Sequence, residues 1–185
     1  MFGEENSSVL EITHRIQKFN NNLYLLYPLL KDRNIPRKVK IIIYTSILRP
    51  ILMYGHEAWA LTSKMKSKIQ AAEMRVLRLI KGVTRLDRLR NEDIRRELGI
   101  DSILDLVEKG QLRWFGHVKR MAGHRYPRRF LETMPDGTRP VGRPRMRWID
   151  NIKHSIEKRG CSIQQVEQEM YADRAQWRRF LKHDD

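Results

Sequence analysis

The class of fold is clearest from Thr62-Ser-Lys-Met-Lys-Ser-Lys-Ile-Gln-Ala-Ala-Glu-Met-Arg-Val-Leu-Arg-Leu-Ile-Lys-Gly82. Its apolar residues recur every three or four positions, which is the period of one helix face. They are Met65, Ile69, Ala72, Val76 and Leu79. Thr62 or Ser63 can cap the start of this helix, and Gly82 is placed to end it. The stretch therefore predicts an amphipathic helix with one buried face.

The same period continues in both directions, and strand alternation is hard to find. We predict further helices from Ser7 or Ser8 to about Leu30, through Ile41–Trp59, from Asn91 to Gly99, from Ser102 through Val118, from Pro144 to about Gly160, and over Ile163–Met170 and Arg174–Leu181. Pro50 lacks an amide hydrogen and should kink or break the second helix. Residues 122–144 are rich in Pro and Gly and are predicted to be loop. The predicted fold is all-α, with about seven to eight helices: a helical bundle in the first half and a looser, basic second half.

The charge of the chain is large and uneven. The 185 residues carry a net charge of +15, which draws a protein towards polyanions. Residues 1–62 hold 8 Lys or Arg against 5 Asp or Glu, whereas residues 113–159 hold 13 against 4. Nucleic acid is the expected partner, and an anionic membrane surface is the weaker alternative.

Other features restrict the cellular setting. Cys161 is the one cysteine and cannot form an internal disulfide, which fits a reducing compartment. Met1–Leu10 has no apolar run and is not expected to be a signal peptide. Ile41–Tyr54 is too short and too charged to span a bilayer, so it is interpreted as buried core. An intracellular protein is expected, without membrane association.

Two basic stripes could follow a phosphate backbone. Lys64, Lys68, Arg75 and Arg78 share the face opposite Met65 on the Thr62–Gly82 helix. On a later helix the stripe consists of Lys109, Arg113 and Arg120. The alternative for each stripe is a solvated outer face without a ligand.

The strongest local signal is Arg139-Pro-Val-Gly-Arg-Pro-Arg-Met-Arg-Trp148. Alternating Pro and Arg holds the backbone extended, so that the guanidinium groups project with little entropy loss on binding. Gly142-Arg-Pro144 resembles the core of an AT-hook, but Val141 stands where that motif would have Arg. We predict phosphate contacts from Arg139, Arg143, Arg145 and Arg147. The alternative is a stiff loop that orients the following helix.

Aromatic residues alternate with charge in Arg113-Trp-Phe-Gly-His-Val-Lys-Arg120. Lys119 and Arg120 join Arg113 as candidates for phosphate contact, and Trp114 and His117 are candidates for contact with unpaired bases. Helical spacing, however, favours core packing for Trp114, and likewise for Trp148 and Trp177.

No catalytic, metal or cofactor site is predicted, nor a small-molecule substrate. His117, His124, His154 and Cys161 lack the spacing of zinc ligands. Tyr171-Ala-Asp-Arg174 resembles the Tyr-x-Asp-Asp hairpin of polymerases, but it falls between predicted helices. Asp173 is better interpreted as a helix N-cap.

Five stretches together resemble the region that follows the polymerase core in reverse transcriptases of non-LTR retrotransposons. They are Tyr44–Trp59, Gln70–Arg78, Arg90–Ile94, Leu112–Val118 and Gly142–Trp148. The resemblance spans about Ile12 to Leu181. It implies a thumb and the tail behind it, which grip template and primer in that family. The family's endonuclease and the catalytic carboxylates of its palm have no match in this sequence, so no enzymatic activity is expected.

The sequence predicts three segments, and its charge together with the resemblance predicts a set of partners. Residues 1–61 are predicted to be a thumb-like packing segment, 62–121 amphipathic basic helices, and 122–185 a Pro/Arg-rich loop with C-terminal helices. The predicted partners are RNA, DNA or an RNA–DNA hybrid, and nuclear residence is predicted from Arg128, Arg129 and the Arg139–Arg147 cluster. Two alternatives stay open: a helical module that docks on a polymerase core through Ile41–Tyr54, and a non-functional retroelement remnant. The origin also stays open between a domesticated protein, a truncated remnant and a piece of a longer polyprotein.

Overall fold

The computed structural model describes residues 7–133, 146–166 and 170–182. Over these ranges the chain forms helices and no β-strand, which confirms the all-α prediction. Their bounds are α1 (Ser7–Lys31), α2 (Arg37–Ile43), α3 (Arg49–Met53), α4 (Ser63–Lys81), α5 (Asn91–Leu98), α6 (Ile103–Lys119), α7 (Tyr126–Glu132), α8 (Trp148–Glu157), α9 (Ile163–Gln165) and α10 (Arg174–Lys182). A π-helical turn, Tyr44–Leu48, joins α2 to α3, and a 3₁₀ turn covers His56–Ala58. None of the helices in the described ranges is long and apolar enough to cross a membrane.

The chain divides into two compact units. Unit 1 comprises Met1–His56 with Leu61–Val107, and unit 2 comprises Glu57–Ala60 with Glu108–Asp185. Helix α6 contributes its first residues to unit 1 and the remainder to unit 2. The three-segment division made from the sequence remains a prediction.

Unit 1 is built around α4, which packs against α1 and α5. The predicted stripe is confirmed: Met65, Ile69, Ala72 and Val76 are buried, and Leu79 is half-buried. The hydroxyl of Thr62 accepts a hydrogen bond from the Met65 amide at 3.4 Å. Gly82 ends the helix in a left-handed conformation, φ +79°, which costs glycine little. Both capping predictions for this helix are therefore confirmed.

The helical path through Pro50 continues instead of breaking. The Arg49 amide donates to the Tyr44 carbonyl, five residues back, in the π-helical turn that immediately precedes the proline. This wider turn accommodates a residue that has no amide hydrogen, and Pro50 then lies in the first turn of α3. The predicted disturbance at Pro50 is thus a local π turn.

Unit 2 has its own core, formed mainly by α6, α8 and α10. It contains Leu112, Phe115, Ile152, Ile156, Val166, Trp177 and Phe180. Trp177 lies directly against the backbone of α6, because a Cβ placed on Gly116 would stand 2.2 Å from the Trp177 Nε1 atom. The glycine in the middle of α6 is therefore what lets the indole approach the helix.

Helix α7 lies within residues 122–144, which the sequence analysis interprets as loop. The interpretation was wrong for Tyr126–Glu132 because Pro127 lies in the first turn of the helix, where an amide hydrogen is not needed. Proline marked a helix start here, and the apolar pair Phe130-Leu131 three and four residues later followed a helical period.

Candidate nucleic-acid interface

The basic face of α4 lies on the outside of unit 1. Lys64, Lys68 and Arg75 are exposed because the buried stripe occupies the opposite side of the helix. Arg78, the fourth member of the predicted stripe, is half-buried, and its Nη2 donates to the Asn91 Oδ1 at 2.7 Å. The structure therefore presents three of the predicted cations to solvent, although the Arg75 Nη1 also donates to the Asn20 Oδ1 at 3.0 Å, and it holds the fourth between α4 and α5.

A cavity of about 460 Å³ opens beside this face. Arg75, Arg78 and Arg85 line it together with the polar side chains of Ser67, Gln70 and Asn91. Among the residues that the structure describes, no Asp or Glu belongs to this lining. Three guanidinium groups around one concave surface give a positive potential, and guanidinium geometry suits phosphate oxygens. Sequence reasoning missed Arg85, which lies in the loop after α4, outside the helical stripe.

The predicted residues on the middle of α6 lie at the surface of unit 2. Arg113 and His117 are exposed, and the rings of Trp114 and His117 lie with their centroids 5.4 Å apart. Trp114 is 36% exposed, so the expectation that it packs in the core was wrong. Phe115, one residue later, occupies the core position, and Trp114 is left at the edge of the buried face.

Trp148 and Trp177, which were also expected to pack in the core, behave as their helical spacing indicated. Trp177 is fully within the core of unit 2. Trp148 is half-buried against that core, and its Nε1 donates to the Glu57 carbonyl at 2.6 Å. Core packing is therefore confirmed for Trp177. Trp148 packs only partly against the core and remains partly exposed.

The end of α6 is more enclosed than predicted. Lys119 is half-buried, with its ammonium 5.8 Å from the centroid of the Phe115 ring. Arg120 donates through Nη1 to the Tyr171 carbonyl at 2.8 Å. Burial lowers the pKa of the Arg120 guanidinium, and the charges of Arg174 and Arg178 lower it further. Arg120 therefore supports the fold of unit 2 while adding to a local excess of positive charge; Lys109, on the same stripe, is half-buried.

A second concave surface, which we call the aromatic groove, lies among α6, α7 and α8 of unit 2. Its volume is about 530 Å³. Its lining includes Trp114, Val118, Pro127, Phe130, Leu131, Trp148, Arg147 and Lys153. Sequence reasoning missed Phe130 and Lys153, since α7 itself was not predicted and Lys153 is the one Lys or Arg on α8.

Arg147 lies at the start of α8, where it is tied to Asp150. The Arg147 amide donates to the Asp150 Oδ2 at 3.0 Å, and its Nη2 lies 3.3 Å from the Oδ1. Burial acts to raise the pKa of Asp150, but the hydrogen bonds and charge of Arg147 outweigh it and hold that pKa below its ordinary value. The Arg147 side chain stays half-exposed at the groove. The other predicted arginines of this segment, Arg139, Arg143 and Arg145, lie outside the described residues.

Unit 1 also contains a buried carboxylate that sequence reasoning did not single out. Glu73 on α4 is fully buried, and Arg95 donates to its Oε2 from Nε at 3.1 Å and from Nη2 at 2.8 Å. The Tyr44 hydroxyl and the Ile103 amide donate to Oε1 at 3.2 Å and 3.0 Å. Burial raises the pKa of Glu73, and the Arg95 guanidinium opposes that shift. Because both oxygens are occupied, Glu73 has a structural role in unit 1.

The described residues contain no cluster of three or more His, Cys, Asp or Glu side chains arranged to bind a metal ion.

Asp173 accepts a hydrogen bond from the Ala175 amide at 2.7 Å, as predicted for a residue that caps α10.

Comparison with known proteins indicates the origin of the chain. Over 128 residues it is 31% identical to a transposon-derived protein of Caenorhabditis elegans whose function is uncharacterised. The aligned region is 66% of this chain and 46% of that relative, so the chain spans less than half of the relative's length. The similarity supports a transposon-related origin. No protein-family model matches the sequence. No solved structure matches it either.

Proposed function

We propose that this chain is a nucleic-acid-binding fragment of a retrotransposon reverse transcriptase, which holds RNA, DNA or their hybrid through phosphate contacts. One observation carries the proposal. The exposed basic face of α4 borders a cavity lined by Arg75, Arg78 and Arg85, and the described lining contains no carboxylate.

The chemistry of that surface fits a phosphate backbone better than a neutral ligand. Guanidinium groups can donate paired hydrogen bonds to phosphate oxygens, and the amides of Gln70 and Asn91 add neutral donors. Lys64 and Lys68 continue the positive charge along the helix. Contacts to phosphates position a nucleic acid without reading its bases, so binding should tolerate different sequences.

The wider context supports the same class of function. The relative in Caenorhabditis elegans is transposon-derived, and the resemblance to non-LTR reverse transcriptases covers the region behind the polymerase core. In that family the region grips template and primer. The proposal therefore assigns binding and no polymerase chemistry to this chain, and it includes the nuclear residence that nucleic-acid partners of a retroelement would require.

Fluorescence anisotropy on the purified full chain tests the proposal. The probes are single-stranded RNA, duplex DNA and an RNA–DNA hybrid of equal length, each titrated from about 50 to 200 mM salt. We expect saturable binding that weakens steeply as salt rises, since phosphate contacts release counterions. Affinity that is negligible for all three probes, or indifferent to salt, would reject the proposal.

A second candidate function is a helical module that docks on a polymerase core. The observation that favours it is the exposure of Ile42, Ile47 and Tyr54, three large apolar side chains in the segment predicted to form such a surface. Exposed apolar side chains concentrated in one segment favour association with a protein surface. Analytical ultracentrifugation should then show concentration-dependent self-association that Ile42→Lys with Ile47→Lys abolishes. A wild-type chain that remains monomeric at about 100 μM would count against this candidate.

A further inference from the structure

We infer that the aromatic groove of unit 2 binds an unpaired nucleotide, with its base against Trp114 and Phe130 and its phosphates at Arg147 and Lys153. The inference rests on the proposed function and narrows it, since it makes single-stranded nucleic acid a preferred ligand of unit 2.

The shape and lining of the groove fit a flat aromatic ligand. Its volume of about 530 Å³ leaves room for a nucleobase. The walls are apolar or aromatic: Val118, Pro127 and Leu131 accompany the rings of Trp114, Phe130 and Trp148. An aromatic side chain offers a stacking surface to any base, because every base has a π-face.

Two of the three rings are exposed in the part of the chain that the structure describes. Phe130 is 78% exposed and Trp114 is 36% exposed, although side chains of this size usually bury most of their surface. Trp148 differs, because its indole N–H already donates to the Glu57 carbonyl at 2.6 Å. That hydrogen bond fixes Trp148 as a wall of the groove. Recognition would therefore proceed by stacking, with little hydrogen bonding to base edges and little dependence on sequence.

The charge at the groove selects a phosphate-bearing ligand. Arg147 and Lys153 line it and are exposed, and no Asp or Glu is part of the lining that the structure describes. Asp150 neutralises part of the Arg147 charge, but the exposed Lys153 keeps the groove positive. A paired base has both of its faces stacked within the duplex and cannot offer one to Trp114. The groove should consequently discriminate against duplexes, which the α4 face does not.

The test compares oligonucleotides with and without bases. We would measure the Kd of the full chain for a single-stranded ten-nucleotide oligothymidine, its abasic counterpart and a duplex, using wild type, Trp114→Ala and Phe130→Ala. Tyr126→Ala is the matched control, because Tyr126 is an aromatic on α7 that is about as exposed as Phe130 and does not line the groove. Trp114→Phe keeps a ring and should recover most of the affinity.

We expect Trp114→Ala and Phe130→Ala each to weaken single-strand binding by about 5- to 150-fold, the loss of one stacked base. The abasic strand should bind wild type correspondingly more weakly, and duplex affinity should change less than about twofold, within measurement scatter. Circular dichroism confirms that each variant is folded. Single-strand affinities equal to that of Tyr126→Ala would overturn the inference while leaving duplex binding, and the proposed function, intact. If neither single strand nor duplex binds to wild type, the proposed function itself fails.

Discussion

Glu73 shows how a single charged residue is tolerated inside unit 1. Its carboxylate has no exposure, and it receives hydrogen bonds from Arg95, Tyr44 and the Ile103 amide. A buried charge is costly unless it is paired and its oxygens are satisfied, and here both conditions hold. The network therefore connects α4 with α5, with the start of α6 and with the π-helical turn.

Removing the partner of Glu73 should be far worse than removing an exposed arginine. We predict that Arg95→Met lowers the free energy of unfolding by about 3–5 kcal/mol, because it leaves a buried carboxylate without its cation. Urea denaturation followed by circular dichroism measures the change. Arg96→Met is the control: this neighbour pairs with Asp93 at the surface, where such a pair contributes less than about 1 kcal/mol. Equal effects of the two substitutions would show that the buried Glu73–Arg95 pair stabilises the fold no more than an exposed ion pair does.

Gly116 illustrates a residue whose missing side chain matters. A Cβ at this position would lie 2.2 Å from Nε1 and 2.6 Å from Cε2 of the buried Trp177 ring. We predict that Gly116→Ala destabilises unit 2 by about 1–3 kcal/mol, the range for overpacking a core. The measurement is thermal unfolding monitored by tryptophan fluorescence.

Gly123→Ala is the matched control for Gly116→Ala. A Cβ at Gly123 meets nothing within 4 Å, so this substitution should leave stability unchanged or slightly raised. If Gly116→Ala were equally harmless, the close approach of Trp177 to α6 would be contradicted.

Individual aromatic residues were the least predictable part of the candidate site. Trp114 and Phe115 are adjacent, and the period of α6 alone does not decide which of them faces the core. The choice is made by α8 and α10, which pack Trp177 and Ile152 against Phe115 in the core of unit 2. Such tertiary contacts have no signal in the local sequence, so the exposure of Trp114 had to come from the structure.

At the scale of elements, helices with strong end signals were predictable. Helix α5 begins at Asn91, followed by the acids Glu92 and Asp93, and ends before a left-handed Gly99, while Thr62 and Gly82 cap the two ends of α4. Proline alone did not predict whether a helix begins or is disturbed. Pro127 lies in the first turn of α7, whereas Pro50 directly follows a π-helical turn within a continuous helical path. The missing amide hydrogen removes only one backbone hydrogen bond, and the neighbouring residues determine whether the helix begins there or widens locally.

The start of α8 should respond to pH through Asp150. Hydrogen bonds from Arg147 hold the pKa of Asp150 below its ordinary value, so the ionised carboxylate stabilises the folded state. That contribution is present above the ordinary aspartate pKa, about 3.9, and is lost as the pH falls through the lower folded-state value.

Comparison of wild type with Asp150→Ala across pH measures this contribution. We predict a difference of about 0.5–1 kcal/mol in unfolding free energy near pH 7, typical of a helix-start carboxylate, which shrinks towards pH 3. A difference that stayed constant over the whole range would contradict the proposed role of the Asp150 charge.

At the scale of the whole molecule, the class of fold and the sign of the charge followed from the sequence. The sequence did not show where on the surface that charge is concentrated. Arg85 joins Arg75 and Arg78 only once α4, the loop after it and α5 are placed together. Net charge alone attracts any polyanion, whereas a local surface makes a defined number of phosphate contacts. The two possibilities predict different responses to the same loss of charge.

The most direct test is therefore the salt dependence of duplex-DNA binding by two variants that lose the same charge. One replaces Lys64, Lys68 and Arg75 on the α4 face with Ala, and the other replaces the exposed, scattered Lys18, Arg33 and Lys38. We predict that the α4 variant lowers the slope of log K against log salt by about 2.7, from about 0.9 for each lost phosphate contact, and that the scattered variant changes it by less than about 1. Equal slopes in the two variants would contradict a defined interface on α4 and leave only the attraction of net charge.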